Sequence, residues 1–507
     1  MSSPSAADFE RLAVEHDFVP VYRQLLSDTL TPVTAFRLLS NDEGHGACLF
    51  ESVIGGEKVG RYSFLAADPI RRFSAVRQEV TVADYQDGGS ETTTTAKDPL
   101  DAFRSHFHFQ VAQLDGLPPF VGGAIGYAGY DVVRYVENLP NAPEDDRGLP
   151  DLDFAFYHTL CVFDHVEKTI TVISLADCRE ISAADQASAA YAATEQQVNA
   201  TIEKLSQQLP HSIIKWDPAT WQQQCESSPL EVKSNFTRET FCNVVNECVE
   251  YIRAGDIFQV VPSQRLTVET DVDPFEIYRS LRVVNPSPFM FYVRTPDCVL
   301  VGCSPEIMCR VANDIVTVRP LAGTRKRGAT EKEDKALEQE LLADPKERAE
   351  HVMLVDLGRN DVGRVAEFGS IELTEIMVIE RYSHVMHISS EVQGKLREGL
   401  DAFDALKACV PAGTVSGAPK VRAMEVIDSL EPHRRGPYAG AVGYIDYRGN
   451  MDTCIALRTM VIKDGLVHVQ AGCGVVADSD PDAEYEETLN KAKALIAAIE
   501  LTSQRIK

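Results

Sequence analysis

The chain has 507 residues, with 49 Lys and Arg against 76 Asp and Glu, a net charge of −27, 44% apolar residues and 25% charged ones. That apolar share excludes a mainly disordered protein. The negative field opposes non-specific attachment to nucleic acid or an anionic membrane, so an anionic ligand needs its own cluster of positive groups. No run approaches the roughly 18 apolar residues of a membrane span, and residues 1 to 17 have neither the basic nor the apolar region of a signal peptide. The 12 cysteines include no C-x-x-C pair. These features point to a reduced, soluble, cytoplasmic protein without a zinc site or a disulfide framework. At about 100–200 residues per domain, the length allows two to four domains or one composite fold.

In chain order, Asp87-Gly88-Gly89-Ser90 and the run Thr92 to Thr95 mark a polar loop or hairpin tip, and a Pro-, Asn- and acid-rich loop covers 140–150. An Ala-rich helix is expected at 181–208. Residues 209–235, with Pro210, Pro218, Pro229, Trp216 and Trp221, form the best boundary segment. Phe241, Val244, Val245, Cys248, Val249 and Ile252 recur at helical spacing, which predicts a helix from near Thr237 that ends at Ala254-Gly255-Asp256. Strands follow at 257–261, 299–301 and 315–318, then one helix across 331–355. Further strands are expected at 438–446, 452–462 and 466–471, with turns at Gly449-Asn450 and Asp464-Gly465, and a last helix spans 481–502. Strands mixed with helices, without regular βαβ alternation, predict an α+β fold with antiparallel sheets.

On a 3.6-residue period the last helix sets Tyr485, Leu489, Ala492, Ile496 and Ile499 in an apolar stripe, with Glu484, Glu487 and Lys491 beside it. The second stripe is either a solvated face with a Glu487–Lys491 pair or a carboxylate ledge for a hard cation such as Mg²⁺. Glu347 and Glu350 could face it, though spacing alone does not join the two helices. Read as one strand over 453–462, alternation puts Arg458 on the face of Cys454, Ala456, Met460 and Ile462. A guanidinium there needs an anion, either an internal carboxylate or a ligand. Gly472-Cys473-Gly474 is a bare turn or a place where backbone N–H groups approach an anion. Residues 413–420 lack the spacing of a nucleotide-binding loop. His387 alternates with apolar neighbours, as either a hydrogen-bonded core residue or a catalyst would.

Taken together, six segments are distinctive: Ala254 to Gln259, Asn285-Pro286-Ser287-Pro288, Pro320 to Thr324, Ala349 to Asp361, Gly413 to Lys420, and Glu484-x-x-Glu487-x-x-Asn490-Lys491-Ala492. With them the chain resembles the anthranilate synthase component I family, the chorismate-binding subunits that start tryptophan biosynthesis. The match is dense over 237–493. It is thinner before that, through Leu49-Phe50-Glu51-Ser52, Arg61-Tyr62-Ser63-Phe64 and Gly122 to Tyr127.

The resemblance implies large antiparallel sheets packed as a sandwich with helices outside. It divides the chain into a regulatory domain at 18–208, a linker at 209–235 and a chorismate-binding catalytic domain at 236–498. It implies a Mg²⁺-dependent lyase that adds ammonia to chorismate at C2, expels the C4 hydroxyl and eliminates pyruvate. Glu350 and Glu487 match the family's metal ligands, with Glu484 close by. His387 and Thr414 are the implied catalytic residues, His387 near the leaving hydroxyl. Thr324, Tyr438, Arg458, Gly472, Cys473, Gly474 and Lys491 fall on pocket positions, with Arg458 pairing to the enolpyruvyl carboxylate. Cys473 departs from the Ala or Gly that relatives carry there. Glu51 and Ser52 resemble an inhibitor motif for tryptophan, with Pro288, Phe289 and Met290 as its second wall.

Ala322 stands where aminodeoxychorismate-forming relatives often carry a nucleophilic Lys, and Gln259 where isochorismate and salicylate synthases carry a base Lys. Both residues favour anthranilate synthase. The alternatives are an aminodeoxychorismate synthase large subunit, or an inactive tryptophan-sensing relative, against which the intact Glu350, His387, Arg458 and Glu487 stand. The chain has no G-x-C-x-G glutaminase turn, so a glutamine amidotransferase subunit is the implied ammonia source. Nucleic acid and membrane are not expected partners.

Overall fold

Two antiparallel sheets carry the architecture, and each takes strands from both halves of the chain. The computed structural model describes residues 3–40, 44–52, 60–86, 88–107, 109–207, 230–382 and 385–506. The first sheet has eleven strands, in the order Phe18–Leu26, Thr169–Asp177, Thr159–Asp164, Tyr62–Ala67, Ala47–Glu51, Phe289–Arg294, Val299–Ser304, Thr459–Lys463, Leu466–Gly472, Ser263–Glu269 and Val232–Ser234. The second runs Leu321–Lys326, Val385–Lys395, Ile315–Val318, Ile307–Ala312, Met451–Ile455, Ala441–Asp446, Gly123–Ala128, Leu152–Tyr157, Arg71–Val76, Glu79–Asp84 and Ser90–Thr95, and Glu372–Arg381 also pairs with Val385–Lys395.

Alternation sorts the side chains between two cores. Phe291 and Val293 point inward between the sheets, where they join Leu300, Phe154, Val442 and Ile445. Their neighbours Met290 and Tyr292 point outward, onto the helices Pro32–Leu39, Ala184–Leu205, Pro274–Val284 and Pro481–Ile506. Each large apolar side chain buried this way contributes about 1.5–3 kcal/mol. The result is the expected sandwich with helices outside. Among the described residues, no helix is long and apolar enough to cross a membrane.

Several local expectations hold for the reasons given. Thr237 caps the helix Arg238–Ala254, and Gly255 ends it at φ +83°. Asp464 and Gly465, both at positive φ, make the turn between Thr459–Lys463 and Leu466–Gly472. Gly88 and Gly89 lie at a hairpin tip, with Thr92 to Thr95 in its second strand.

Other expectations need correction. The helix over 331–355 is two helices, Glu331–Ala343 and Pro345–Gly363. Asp344 closes the first and caps the second, because Pro345 has no N–H and steers its predecessor away from helix. The strand at 257–261 shrinks to Gln259–Val260, paired with Gly417–Ala418. The strand at 452–462 is two strands in different sheets, Met451–Ile455 and Thr459–Lys463, and the chain crosses between the sheets at 456–458. The last helix buries Thr488, Ala492, Leu495, Ala498, Ile499 and Thr502, a stripe rotated from the expected one. Of the boundary segment 209–235, residues 209–229 lie outside the described residues.

Candidate active site

His387 sits in Val385–Lys395 between Leu321–Lys326 and Glu372–Arg381, opposite Thr324 on one side and Glu380 on the other. Its Nδ1 lies 2.9 Å from the Gly323 carbonyl oxygen and 3.2 Å from Thr324 Oγ1. A carbonyl only accepts, so Nδ1 carries the proton and Nε2 is left as an acceptor. Nε2 is buried and has no partner among the described residues. Burial, and then the charge on Arg458, push the ring's pKa down to about 4, with Lys491 acting in the same direction. His387 is therefore a neutral base held by one nitrogen. The Tyr382 ring packs edge-on against it at 5.4 Å.

Arg458 stands at the crossover between the sheets, with φ at +48°. Its carbonyl accepts from Cys303 N–H at 3.1 Å. The single-strand pattern that singled it out does not exist, because Cys454 and Met460 belong to different sheets. The need for an anion survives that correction. Among the described residues no carboxylate pairs with the guanidinium, so the internal ion pair is not found.

Lys491 makes the i,i+4 pair with Glu487 at 2.8 Å and also donates to the Gly472 carbonyl at 2.9 Å. The last helix is thereby joined to the 472–474 segment. Space demands the first glycine, against backbone, and the second crowds only the end of a side chain. A Cβ on Gly472 would meet Pro262 O at 2.8 Å, and one on Gly474 would meet Gln259 Nε2 at 2.9 Å. The Cys473 N–H donates to Pro262 O at 3.1 Å, so that amide is already engaged, and the thiol is fully buried.

The carboxylates left apart by spacing come together. Glu350, from Pro345–Gly363, accepts from Gln259 Nε2 at 3.0 Å. Burial first, then the charges of Glu347 and Glu487, raise its pKa. Burial also raises that of Glu484, with Glu487 adding to it, while Ser479 donates to it at 2.7 Å. Among the described residues no three His, Cys, Asp or Glu side chains form a metal-holding group. The pair Glu350 and Glu487 nonetheless fits a hard divalent cation in donor chemistry. Both offer oxygen, and their mutual repulsion is charge that a cation would offset.

The sequence reading missed Glu306. It follows Val299–Ser304 and is 5% exposed, and it accepts from Thr414 Oγ1 at 3.1 Å. Burial pushes its carboxyl up to about 8, so it is protonated at neutral pH. An acid wedged between the apolar strands 299–304 and 307–312 was the available signal. Gln259 was noted only to discriminate among relatives. It is 2% exposed, with Nε2 on Glu350 and a buried, unpartnered Oε1. Tyr438 is buried beside the Arg435 guanidinium.

The two segments assigned to an inhibitor are neighbours in the first sheet, with Glu51 opposite Met290. Glu51 is buried; its Oε2 accepts from Tyr278 Oη at 2.6 Å and its Oε1 from Arg282 Nη2 at 3.0 Å, while Arg282 Nε lies 2.8 Å from Oε2 as an ion-pair contact. Met290 is fully buried in the outer core, while Ser52, Pro288 and Phe289 are half-buried. Behind this wall, Ser287 Oγ donates to the Ser304 carbonyl at 2.5 Å.

A sandwich of two shared sheets around such a histidine, arginine and carboxylate set defines a class. The sequence profile of the chorismate binding enzyme family matches residues 50–497, and the chain belongs to that family. Within it, the chain is similar to anthranilate synthase component 1 of Acetivibrio thermocellus, at 45% identity over 507 residues covering 99% of each chain. It is 48% identical to anthranilate synthase component 1 of Pseudomonas putida over 503 residues, 98% of each chain. Among solved structures it is similar to anthranilate synthase component I of Streptococcus pneumoniae TIGR4, with a TM-score of 0.75 and 39% identity over 93% of this chain and 99% of that one. The family and fold expected from the motifs are borne out.

Proposed function

We infer that the chain is the large subunit of an anthranilate synthase, a lyase that turns chorismate and ammonia into anthranilate, pyruvate and water. One observation carries the chemistry. A neutral His387 with a free, buried Nε2 and a protonated, buried Glu306 lie within electrostatic reach of the same Lys491, beside an Arg458 without a carboxylate. Environments that push two titratable groups in opposite directions assign the acid and the base.

Arg458 pairs with the enolpyruvyl carboxylate in a charge-assisted, bidentate contact. Gln259, fixed through Nε2 by Glu350, turns Oε1 toward ammonia and accepts one of its N–H bonds while the nitrogen lone pair attacks C2. Ala322 offers no nucleophile, so the attack is direct. Glu306, already protonated, gives its proton to the departing C4 hydroxyl, which leaves as water, and the ammonium formed at C2 loses one proton to become the amine, which balances the proton Glu306 must regain. The resemblance put His387 beside that hydroxyl, but its base form suits the second step, taking the C2 proton as pyruvate leaves and the ring becomes aromatic. Burial is the larger cause of the depressed pKa, and substrate charge beside Arg458 offsets the second, which raises it from the unliganded value. A Mg²⁺ held by Glu350 and Glu487, with Glu484 at its edge, would supply Lewis-acid polarisation of the ring carboxylate.

The same reading includes a separate glutamine amidotransferase subunit as the ammonia source and tryptophan as a feedback inhibitor at Glu51, Ser52, Pro288, Phe289 and Met290. Both residue patterns support it. The purified chain, given chorismate, MgCl₂ and ammonium chloride, forms fluorescent anthranilate, and given glutamine instead it forms none. Failure with ammonium overturns the activity, and turnover with glutamine overturns the need for a partner.

A further inference from the structure

Arg435 is 2% exposed and among the largest fully buried side chains of the molecule. Its guanidinium meets the Glu431 carboxylate through both edges, Nε to Oε2 at 2.9 Å and Nη2 to Oε1 at 2.6 Å. The fork then reaches past Glu431. Nη1 donates to the Val415 carbonyl and Nη2 to the Val261 carbonyl, each at 2.7 Å. Tyr130 and Tyr438 flank the cation, with ring centroids 4.7 and 5.6 Å from Cζ. On the far side, Glu431 Oε1 accepts from both the N–H and the Oγ of Ser263, each at 2.8 Å.

The clamped carbonyls belong to segments that carry the chemistry. Val415 follows Thr414, whose hydroxyl holds Glu306. Val261 follows Gln259–Val260, and Gln259 holds Glu350. Pro262, between Val261 and Ser263, accepts the Cys473 N–H and so anchors the 472–474 segment. The turn Gly413–Ser416 and the segment 259–263 thus share one buried ion pair, which adds side-chain direction to the backbone pairing that already links Val260 to Gly417 and Val475.

A buried ion pair is a poor device for stability alone, since well-packed apolar side chains of similar volume often serve as well. A planar fork that satisfies one carboxylate and two carbonyls from different segments fixes directions, which a lysine ammonium on a flexible stem does not. We propose that Arg435 and Glu431 are positioning residues for the reaction, setting the Glu306–Thr414 pair against the Gln259–Glu350 pair across the pocket. Neither touches substrate. The assignment rests on Glu306 as the proton donor, so the experiment separates the two.

Arg435→Lys keeps the charge and loses the fork. In the ammonia-dependent reaction, kcat should fall about 10²-fold, the cost of misplacing reacting groups by an ångström, with the chorismate KM within about twofold. The alkaline limb of the kcat–pH profile should also move upward. The Thr414 hydroxyl holds the Glu306 carboxyl down, and a displaced Thr414 no longer does. Ser263→Ala removes one bond to Glu431 together with the bond its Oγ accepts from Gln470 Nε2, and should lower kcat about threefold to tenfold, again with KM unchanged. A folded Arg435→Lys variant with the parental kcat and pH profile overturns the proposal, as does a rise in KM alone. If Arg435→Lys does not fold, a Ser263→Ala variant with unchanged kcat overturns it too. Glu306→Gln tests the underlying reading on its own. Undiminished kcat in that variant removes Glu306 as donor and voids the pH arm, while the kcat arm for Arg435 still decides positioning.

Discussion

His387 and Glu51 are both buried polar side chains on paired strands, yet they are finished differently. His387 is held by one nitrogen, and the other has no partner among the described residues. Glu51 has both oxygens engaged, by Tyr278 and by Arg282. A buried atom left without a partner costs on the order of 1–3 kcal/mol, and a bound substrate recovers that cost. A saturated carboxylate gives a ligand no such opening, so a regulator in that region has to rearrange existing bonds. A ligand that changes the structure it binds can favour one state over another, as inhibition requires. His387 therefore leaves an opening for a ligand, and Glu51 leaves none without rearrangement.

The largest expected effect separates the two regions from the catalytic side. Glu487→Gln should lower kcat about 10³-fold, the several kcal/mol that a Lewis acid contributes. Calorimetric tryptophan binding should be unchanged, and so should the melting temperature, because the Glu487 side chain is 48% exposed. Parental rates at saturating MgCl₂ would remove the metal assignment. From the other side, Ser52→Arg should raise the tryptophan concentration for half-inhibition by about tenfold or more while uninhibited turnover stays within about twofold. A variant as sensitive as the parent would move the regulatory site elsewhere.

A third effect concerns stability. The Glu306 carboxyl is raised to about 8 in the folded chain, so between its ordinary range and pH 8 the folded state binds the extra proton. Its stabilising contribution is complete at low pH and is lost as pH rises through 8. Glu306→Gln removes that dependence. Urea midpoints should therefore show the variant gaining on the parent from pH 5 to pH 9, by at most about 1.4 kcal/mol per pH unit within that window. A constant difference would mean that Glu306 is not buried as a neutral acid.

Local chemistry was legible in the letters. Thr237, Gly255 and the Asp464-Gly465 turn announced themselves because caps and tight turns depend on a few neighbouring side chains. The site residues came from motifs that matched in order, and the charge of Glu487 reaches Glu350 and helps raise its pKa. Pairing over long distance was not legible. Alternation over 453–462 is the same whether the strand runs straight or changes sheets, so Arg458 was singled out by a local pattern that is absent, although among the described residues it has no carboxylate partner. Glu306 was passed over although it sits between two apolar stretches, because its partners Thr414 and Leu321 are remote in sequence. Asp344-Pro345 was readable and was missed. A proline after an Asp inside a helical pattern is a stop and a new start.

The sharing of both sheets between the two halves of the chain also governs how the protein is made. Ala47–Glu51 pairs with Tyr62–Ala67 on one edge, but its other neighbour is Phe289–Arg294, and Leu466–Gly472 closes the same sheet. On a ribosome adding about 5–20 residues per second, the early strand waits roughly 10–50 s with one edge unpaired. Leu49 lies in a core whose other members include Tyr278, Leu281, Met290 and Ile499, not yet made during that interval, and it is fully buried at its end. The nascent chain is therefore an aggregation hazard and a client for chaperones until its second half emerges.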